Sequence, residues 1–78
     1  MEIISISDKT IDDIIKYGID VTHKEHGKLY NVVGKVLCKN IDTGQWYRAI
    51  HYVNAQGQSF VRDKKDFYDK FKIIGDKQ

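Results

Sequence analysis

Three runs of β-prone residues follow one another between Gly27 and Phe71, and they constrain the fold more than any other feature of the chain. The runs cover residues 28–39, 45–53 and 58–62, and turns that contain Asn and Gly separate them. Apolar residues at a spacing of two indicate strands, and short polar turns join antiparallel neighbours. The pattern therefore predicts a small, strongly curved antiparallel sheet.

The turns and one internal glycine refine this prediction. Residues 40–44 and 54–57 have the composition of hairpin loops, and Gly57 is suited to a positive φ. Gly34 lies inside the first run, where a glycine predicts a bend or a β-bulge. The sheet is therefore expected to coil, so that both faces of its first strand carry apolar groups.

Simple alternation assigns the strand residues to faces. On the first strand it groups Tyr30, Val32, Val36 and Cys38. On the second strand it groups Trp46, Arg48, Ile50 and Tyr52. Which face of the second strand points inward is left open by the sequence, although Trp46 and Tyr52 are the natural candidates for the core because of their size.

A helix is predicted over residues 8–18. Ile11, Ile14 and Ile15 are spaced so that they share one helical face, and Gly18 provides a stop signal. The apolar stripe is narrow, so the helix is expected to pack against the sheet as a flank.

The two ends of the chain add shorter elements. Asp63 is a good N-cap for a short second helix, and Phe67 and Phe71 are four residues apart, which allows them to pack together. Residues 73–74 predict a last short strand, and residues 1–7 predict an edge strand or an extended arm.

A chain of 78 residues predicts one domain. We divide it into a helical flank at residues 1–22, a sheet region at residues 23–74 and a tail at residues 75–78. Neither an internal repeat nor a linker interrupts it, and its fold class is α+β.

The charge is unevenly distributed. Residues 1–26 hold three Lys against six Asp/Glu, whereas residues 27–78 hold ten Lys/Arg against five Asp. A basic region attracts phosphates, nucleotides or an acidic protein surface. The single cysteine excludes an intramolecular disulfide, and no run approaches the ~20 apolar residues of a membrane span. We therefore expect a cytoplasmic protein without a membrane partner.

The pattern G-x-x-Y-x-V-x-G at residues 27–34, followed by Val61-Arg62 and Phe67, resembles a small domain family of unknown function. Members of that family are short bacterial and bacteriophage proteins. The resemblance covers about residues 24–74. It implies a small β-barrel similar to the Src-homology-3 and Tudor type, and a location in the host cytoplasm if the protein is encoded by a phage.

One cluster of side chains suggests a ligand-binding face. It contains aromatic and cationic residues of neighbouring strands: Trp46, Arg48, His51, Tyr52 and Arg62. Such a face stacks a base and pairs with a phosphate, and base stacking contributes about 1–3 kcal/mol per base. The alternative is that the aromatic residues are core and the arginines are solvated.

Metal and nucleophile chemistry have weaker support. His23 and His26 have the spacing of metal ligands, and Cys38 and His51 would complete a set of four. A polar, solvated loop at residues 23–27 explains the histidines better. Cys38 is most simply a strand-packing residue. We therefore predict no metal, no cofactor and no enzymatic activity.

Three binding hypotheses remain. The first is a phage or bacterial accessory protein that sequesters a small, anionic, nucleotide-like ligand, with an anti-defence role and possible oligomerisation. The second is an inhibitor or adaptor of a bacterial protein that binds through a sheet edge or through charged residues of the two helices: Asp12, Asp13, Lys64 and Lys65. The third and weakest is RNA or DNA binding by the barrel.

Overall fold

The computed structural model describes residues 2–75, which form six strands and two helices. In chain order the elements are β1 (Glu2–Ser5), α1 (Asp8–Tyr17), β2 (Asp20–His23), β3 (Leu29–Lys39), β4 (Trp46–Asn54), β5 (Ser59–Asp63), α2 (Lys64–Lys70) and β6 (Phe71–Gly75). The α+β class is confirmed. Most of the predicted tail, residues 76–78, lies outside the described residues.

All six strands belong to one antiparallel sheet with the order β1-β6-β2-β3-β4-β5. The pairs in this order form a line with β1 at one end and β5 at the other. Across the described residues no ladder joins these two ends, so the sheet is open. The closed barrel that the sequence suggested is therefore not part of the observed strand pairing.

Helix α1 agrees closely with the predicted helix over residues 8–18. The backbone N–H of Ser7 donates to Thr10 Oγ1 at 2.9 Å, and Gly18 adopts a left-handed conformation with φ 64° at the C-terminus. Ile11 and Ile14 are buried on the face that packs against the sheet. The helix is thus the flank that its narrow apolar stripe predicted.

Helix α2 is capped by Asp63, as predicted. The Asp63 carboxylate accepts the backbone N–H groups of Lys65 and Asp66, which the first turn of a helix leaves without partners. Phe67 then stacks on Phe71, with ring centroids 4.3 Å apart. The second helix and the start of β6 are therefore joined through the core.

A bulge in β3 changes the face on which its later residues lie. Val32 pairs with Tyr52, but Gly34 pairs with the next residue, His51, so that Val33 is the extra residue. The predicted bulge near Gly34 is confirmed. Because of it, the prediction that Val36 and Cys38 share a face with Tyr30 and Val32 is wrong. Beyond the bulge, Leu37 rather than Val36 lies on the face of Val32.

The core lies between the sheet and the two helices. Its buried members are aliphatic and aromatic, and they come from both helices, from four of the strands and from the connection between β1 and α1: Ile6, Ile11, Ile14, Val21, Val32, Ile50, Tyr52, Phe67, Phe71 and Ile73. Trp46 is not among them. Its side chain is 64% exposed, so its predicted role in the core is wrong.

Strand β2 is the element that the sequence did not predict. Asp20–His23 pairs with β6 on one side and with β3 on the other, so it lies inside the sheet. Val21, Thr22 and His23 are all buried. The predicted boundary between a helical flank and the sheet region, after residue 22, falls within this strand. The prediction that His23 belongs to a solvated loop is wrong.

The hairpin formed by β3 and β4 extends past the rest of the sheet. On β3 the ladder with β2 ends at Asn31, and on β4 the ladder with β5 starts only at Ala49. Residues 36–48 therefore form a two-stranded segment, which we call the ribbon. Its loop is ordered by Asn40, whose side chain accepts the backbone N–H groups of Asp42 and Thr43.

Candidate functional site

The five residues predicted to bind a ligand do not form one surface. Tyr52 is buried in the core, with 4% of its side chain exposed. Arg62 pairs with Ile50 on the same core-facing side and is partly buried. Trp46 and Arg48 lie on the ribbon, and His51 lies on the opposite side of β4.

Arg62 is held by contacts within the protein. Its Nε donates to Tyr52 Oη at 3.2 Å, and a terminal nitrogen donates to Asp66 Oδ2 at 2.6 Å. Its guanidinium carbon lies 5.6 Å from the centre of the Phe71 ring. The hydrogen bonds to Tyr52 and then Asp66 raise the pKa of Arg62. Its charge therefore stabilises the junction of β5 and α2 and is offset by a carboxylate.

The core-facing side of the sheet continues outward onto the ribbon, where it becomes exposed. Leu37 pairs with Arg48 and Lys39 pairs with Trp46. The two apolar side chains therefore lie on one diagonal of this four-residue group, and the two cationic side chains lie on the other. Leu37 is 63% exposed, similar to Trp46. Lys39 Nζ lies 5.9 Å from the centre of the Trp46 ring, within range of a cation–π contact. We call Leu37, Lys39, Trp46 and Arg48 the ribbon face.

The other side of the ribbon also carries an aromatic residue. Tyr47 pairs with Cys38 across the two strands and is partly exposed. The proximity of Cys38 raises the pKa of Tyr47. Cys38 is a free thiol of intermediate burial, and its place in the ribbon agrees with the predicted packing role in a strand.

Of the four charged residues predicted to contact a partner, two form ion pairs within the protein and two are exposed. Asp12 pairs with Lys35 at 2.6 Å, and Lys64 pairs with Asp8 at 3.3 Å. Asp13 and Lys65 are exposed on the surfaces of α1 and α2. Ion pairs thus join acidic residues of α1 to basic residues of β3 and α2.

A hydrogen bond between the helices strengthens this arrangement. The hydroxyl of Tyr68 donates to Asp8 Oδ1 at 2.9 Å. This bond and then the contact with Lys64 lower the pKa of Asp8, while burial and the same bond raise the pKa of Tyr68. Asp8 therefore links α1 to α2 as an ionised carboxylate.

The two histidines with metal-like spacing are engaged with each other and with the backbone. The rings of His23 and His26 stack with centroids 4.1 Å apart. Nδ1 of His23 accepts the N–H of Glu25, and Nδ1 of His26 accepts the N–H of Lys28. Burial is the main cause that lowers the pKa of His23. Over residues 2–75, no three His, Cys, Asp or Glu side chains converge as metal ligands would.

The chain matches no model of a known protein family, no curated protein and no solved structure. Within the part of the chain that the structure describes, neither helix has the length and apolar character needed to cross a bilayer.

Proposed function

We propose that this chain is a non-enzymatic protein-binding module that docks through the ribbon face. The observation that carries this proposal is the exposure of Leu37 and Trp46 on a two-stranded segment that projects past the sheet. Aromatic residues and arginine dominate the binding energy of protein interfaces. Trp46 and Arg48 supply both types on one face.

The chemistry of the ribbon favours a protein partner over a nucleic acid. Leu37 is 63% and Ile41 is 93% exposed, and aliphatic side chains gain little against a phosphate backbone. Burial of such groups against an apolar surface contributes about 25 cal/mol per Å². The unpaired backbone of β3 and β4 in the ribbon also offers hydrogen bonds to an added strand.

The partner surface should be acidic around an apolar centre. Lys39 and Arg48 flank the apolar diagonal formed by Leu37 and Trp46. Complementary charge around an interface steers encounter and sets specificity. A second copy of the chain would place these cations against each other, so it is the poorer partner.

The predicted cellular setting and the predicted barrel-like fold are kept as parts of this proposal. We propose a cytoplasmic phage or bacterial accessory protein that inhibits or adapts a host protein. We also propose that the sheet curls toward a Src-homology-3-like barrel. Two features support that curvature: the bulge at Val33, and the position of α2 between β5 and β6.

Affinity capture with matched variants tests the proposal. The tagged wild-type chain, the double variant Leu37→Ser/Trp46→Ala and the control Tyr17→Ser are each exposed to lysate from the source cells. Tyr17 is a suitable control because its side chain is 66% exposed on α1, away from the ribbon. We expect the wild type and the control to retain the same partner and the double variant to lose it.

Two results would contradict the proposal. One is retention of the partner by all three chains, which would move the interface away from the ribbon face. The other is a bound fraction that disappears after nuclease treatment and falls steeply with added salt, since that dependence is typical of phosphate contacts.

A further inference from the structure

A cleft with a volume of about 730 Å³ lies at the end of the sheet opposite the ribbon. It opens between the start of β3 and the turn that joins β4 to β5, and it is lined by Lys28, Leu29, Tyr30, Gln56, Gln58 and Phe60. Binding sites for small molecules usually occupy about 300–1,000 Å³. The cleft is therefore large enough to hold such a molecule.

Aromatic rings form the apolar part of the cleft. Phe60 is 38% exposed and meets Tyr30 edge to face, with centroids 6.2 Å apart. Both rings also rest on the buried Tyr52, at 5.5 Å and 5.4 Å. Because the core holds Tyr52 in place, the exposed ring of Phe60 and the half-buried ring of Tyr30 are positioned before any ligand arrives. Such pre-organisation lowers the cost of binding.

Amide groups form the polar rim. The Asn54 side chain accepts the N–H groups of Gln56 and Gln58 and donates to Gln58 Oε1 at 2.7 Å. These bonds fix the turn and hold the Gln58 side chain at the cleft. The bond from Asn54 uses only the side-chain oxygen of Gln58. The NH₂ group of Gln58 is therefore available as a donor toward the edge of a planar ring.

The charge of the cleft selects the sign of its ligand. Among the described residues that line it, Lys28 alone is charged. An ammonium group on a flexible stem beside stacked rings suits an anionic substituent on a planar ligand. A cation would meet repulsion from Lys28.

We infer that this cleft binds a planar heteroaromatic ligand with an anionic group, of the nucleoside monophosphate class. The base stacks against Phe60 and Tyr30, the Gln58 amide contacts its edge, and Lys28 pairs with the phosphate. This site differs from the predicted one at Arg48 and Arg62. It is also independent of the ribbon, because it lies at the other end of β3 and β4.

NMR titration of ¹⁵N-labelled protein with AMP, GMP, CMP and UMP tests the inference, with inorganic phosphate as the control ligand. We expect at least one nucleotide to shift the amides of residues 28–30 and 56–60 and to leave those of residues 36–48 unchanged. Phe60→Leu keeps an apolar side chain without a π-face and should weaken binding at least about fivefold, since stacking contributes about 1–3 kcal/mol per base.

Two further variants separate the contributions. Lys28→Gln should remove the preference for a nucleotide over its uncharged nucleoside, while Trp46→Ala on the ribbon should bind like the wild type. The inference is overturned if none of the four nucleotides shifts the cleft amides, if phosphate alone produces the same shifts, or if folded Phe60→Leu binds with unchanged affinity.

Discussion

Replacement of Phe67 by Ala is expected to lower the free energy of unfolding by about 3–5 kcal/mol. Phe67 is fully buried, and its ring stacks on Phe71 and lies 5.2 Å from the ring of Tyr52. Its removal leaves a cavity where α2, β4 and β6 meet. A small domain has only a few kcal/mol of stability to lose, so most of the variant should be unfolded at moderate temperature.

The matched control is Trp46→Ala, which removes a still larger side chain from the ribbon. Because Trp46 is 64% exposed, this change should alter the free energy of unfolding by no more than about 0.5 kcal/mol. Urea unfolding followed by circular dichroism measures both values. A large loss for Trp46→Ala together with a small loss for Phe67→Ala would reverse the assignment of core and surface.

Arg62→Ala is expected to destabilise the protein by about 1–3 kcal/mol, which is the range for a buried polar group that loses its partner. The change removes the donor to the Tyr52 hydroxyl, which lies on a 4% exposed side chain, and it leaves Asp66 without its ion pair. The ion pair is partly exposed and contributes little of this value. Arg48→Ala, by contrast, should weaken docking through the ribbon and leave stability near that of the wild type.

Thermal unfolding of the two arginine variants, alongside Tyr52→Phe, provides the test. Since Tyr52→Phe removes the hydroxyl itself, adding Arg62→Ala to it should cost less than Arg62→Ala costs in the wild type. If Arg62→Ala left the melting temperature unchanged, Arg62 would be free for a ligand, as the sequence had suggested.

Local patterns were sufficient to predict most of the elements. The spacing of Ile11 and Ile14, the caps at Gly18 and Asp63, and the turn at Asn54 act within a few residues of each other. Because such signals are local, the sequence predicts both helices and the strands β3, β4 and β5 with boundaries close to those observed.

Strand β2 was missed because its formation depends on distant partners. It has four residues, contains Asp20 and His23, and lacks the alternation of a long strand. Only its position between β6 and β3 buries Val21 and Thr22. The β-branched pair at positions 21 and 22, three residues after the helix stop at Gly18, is the one signal that points to it.

The residues that the sequence grouped into one ligand-binding face lie at separate places in the structure. Trp46 and Tyr52 share a face by alternation, yet one is exposed and the other buried because the helices cover only part of the sheet. Simple alternation also cannot follow β3 through the bulge at Val33. The cleft at Tyr30 and Phe60 was missed because it needs β3 and β5 to be brought together by the strand between them.

Fluorescence of Trp46, the single tryptophan, is the most direct test of the exposed ribbon on which the proposed function depends. In the folded monomer we predict red-shifted emission that changes little on unfolding, together with strong quenching by acrylamide at every protein concentration. Blue-shifted emission protected from acrylamide in the dilute monomer would place Trp46 in the core and contradict a docking surface on the ribbon.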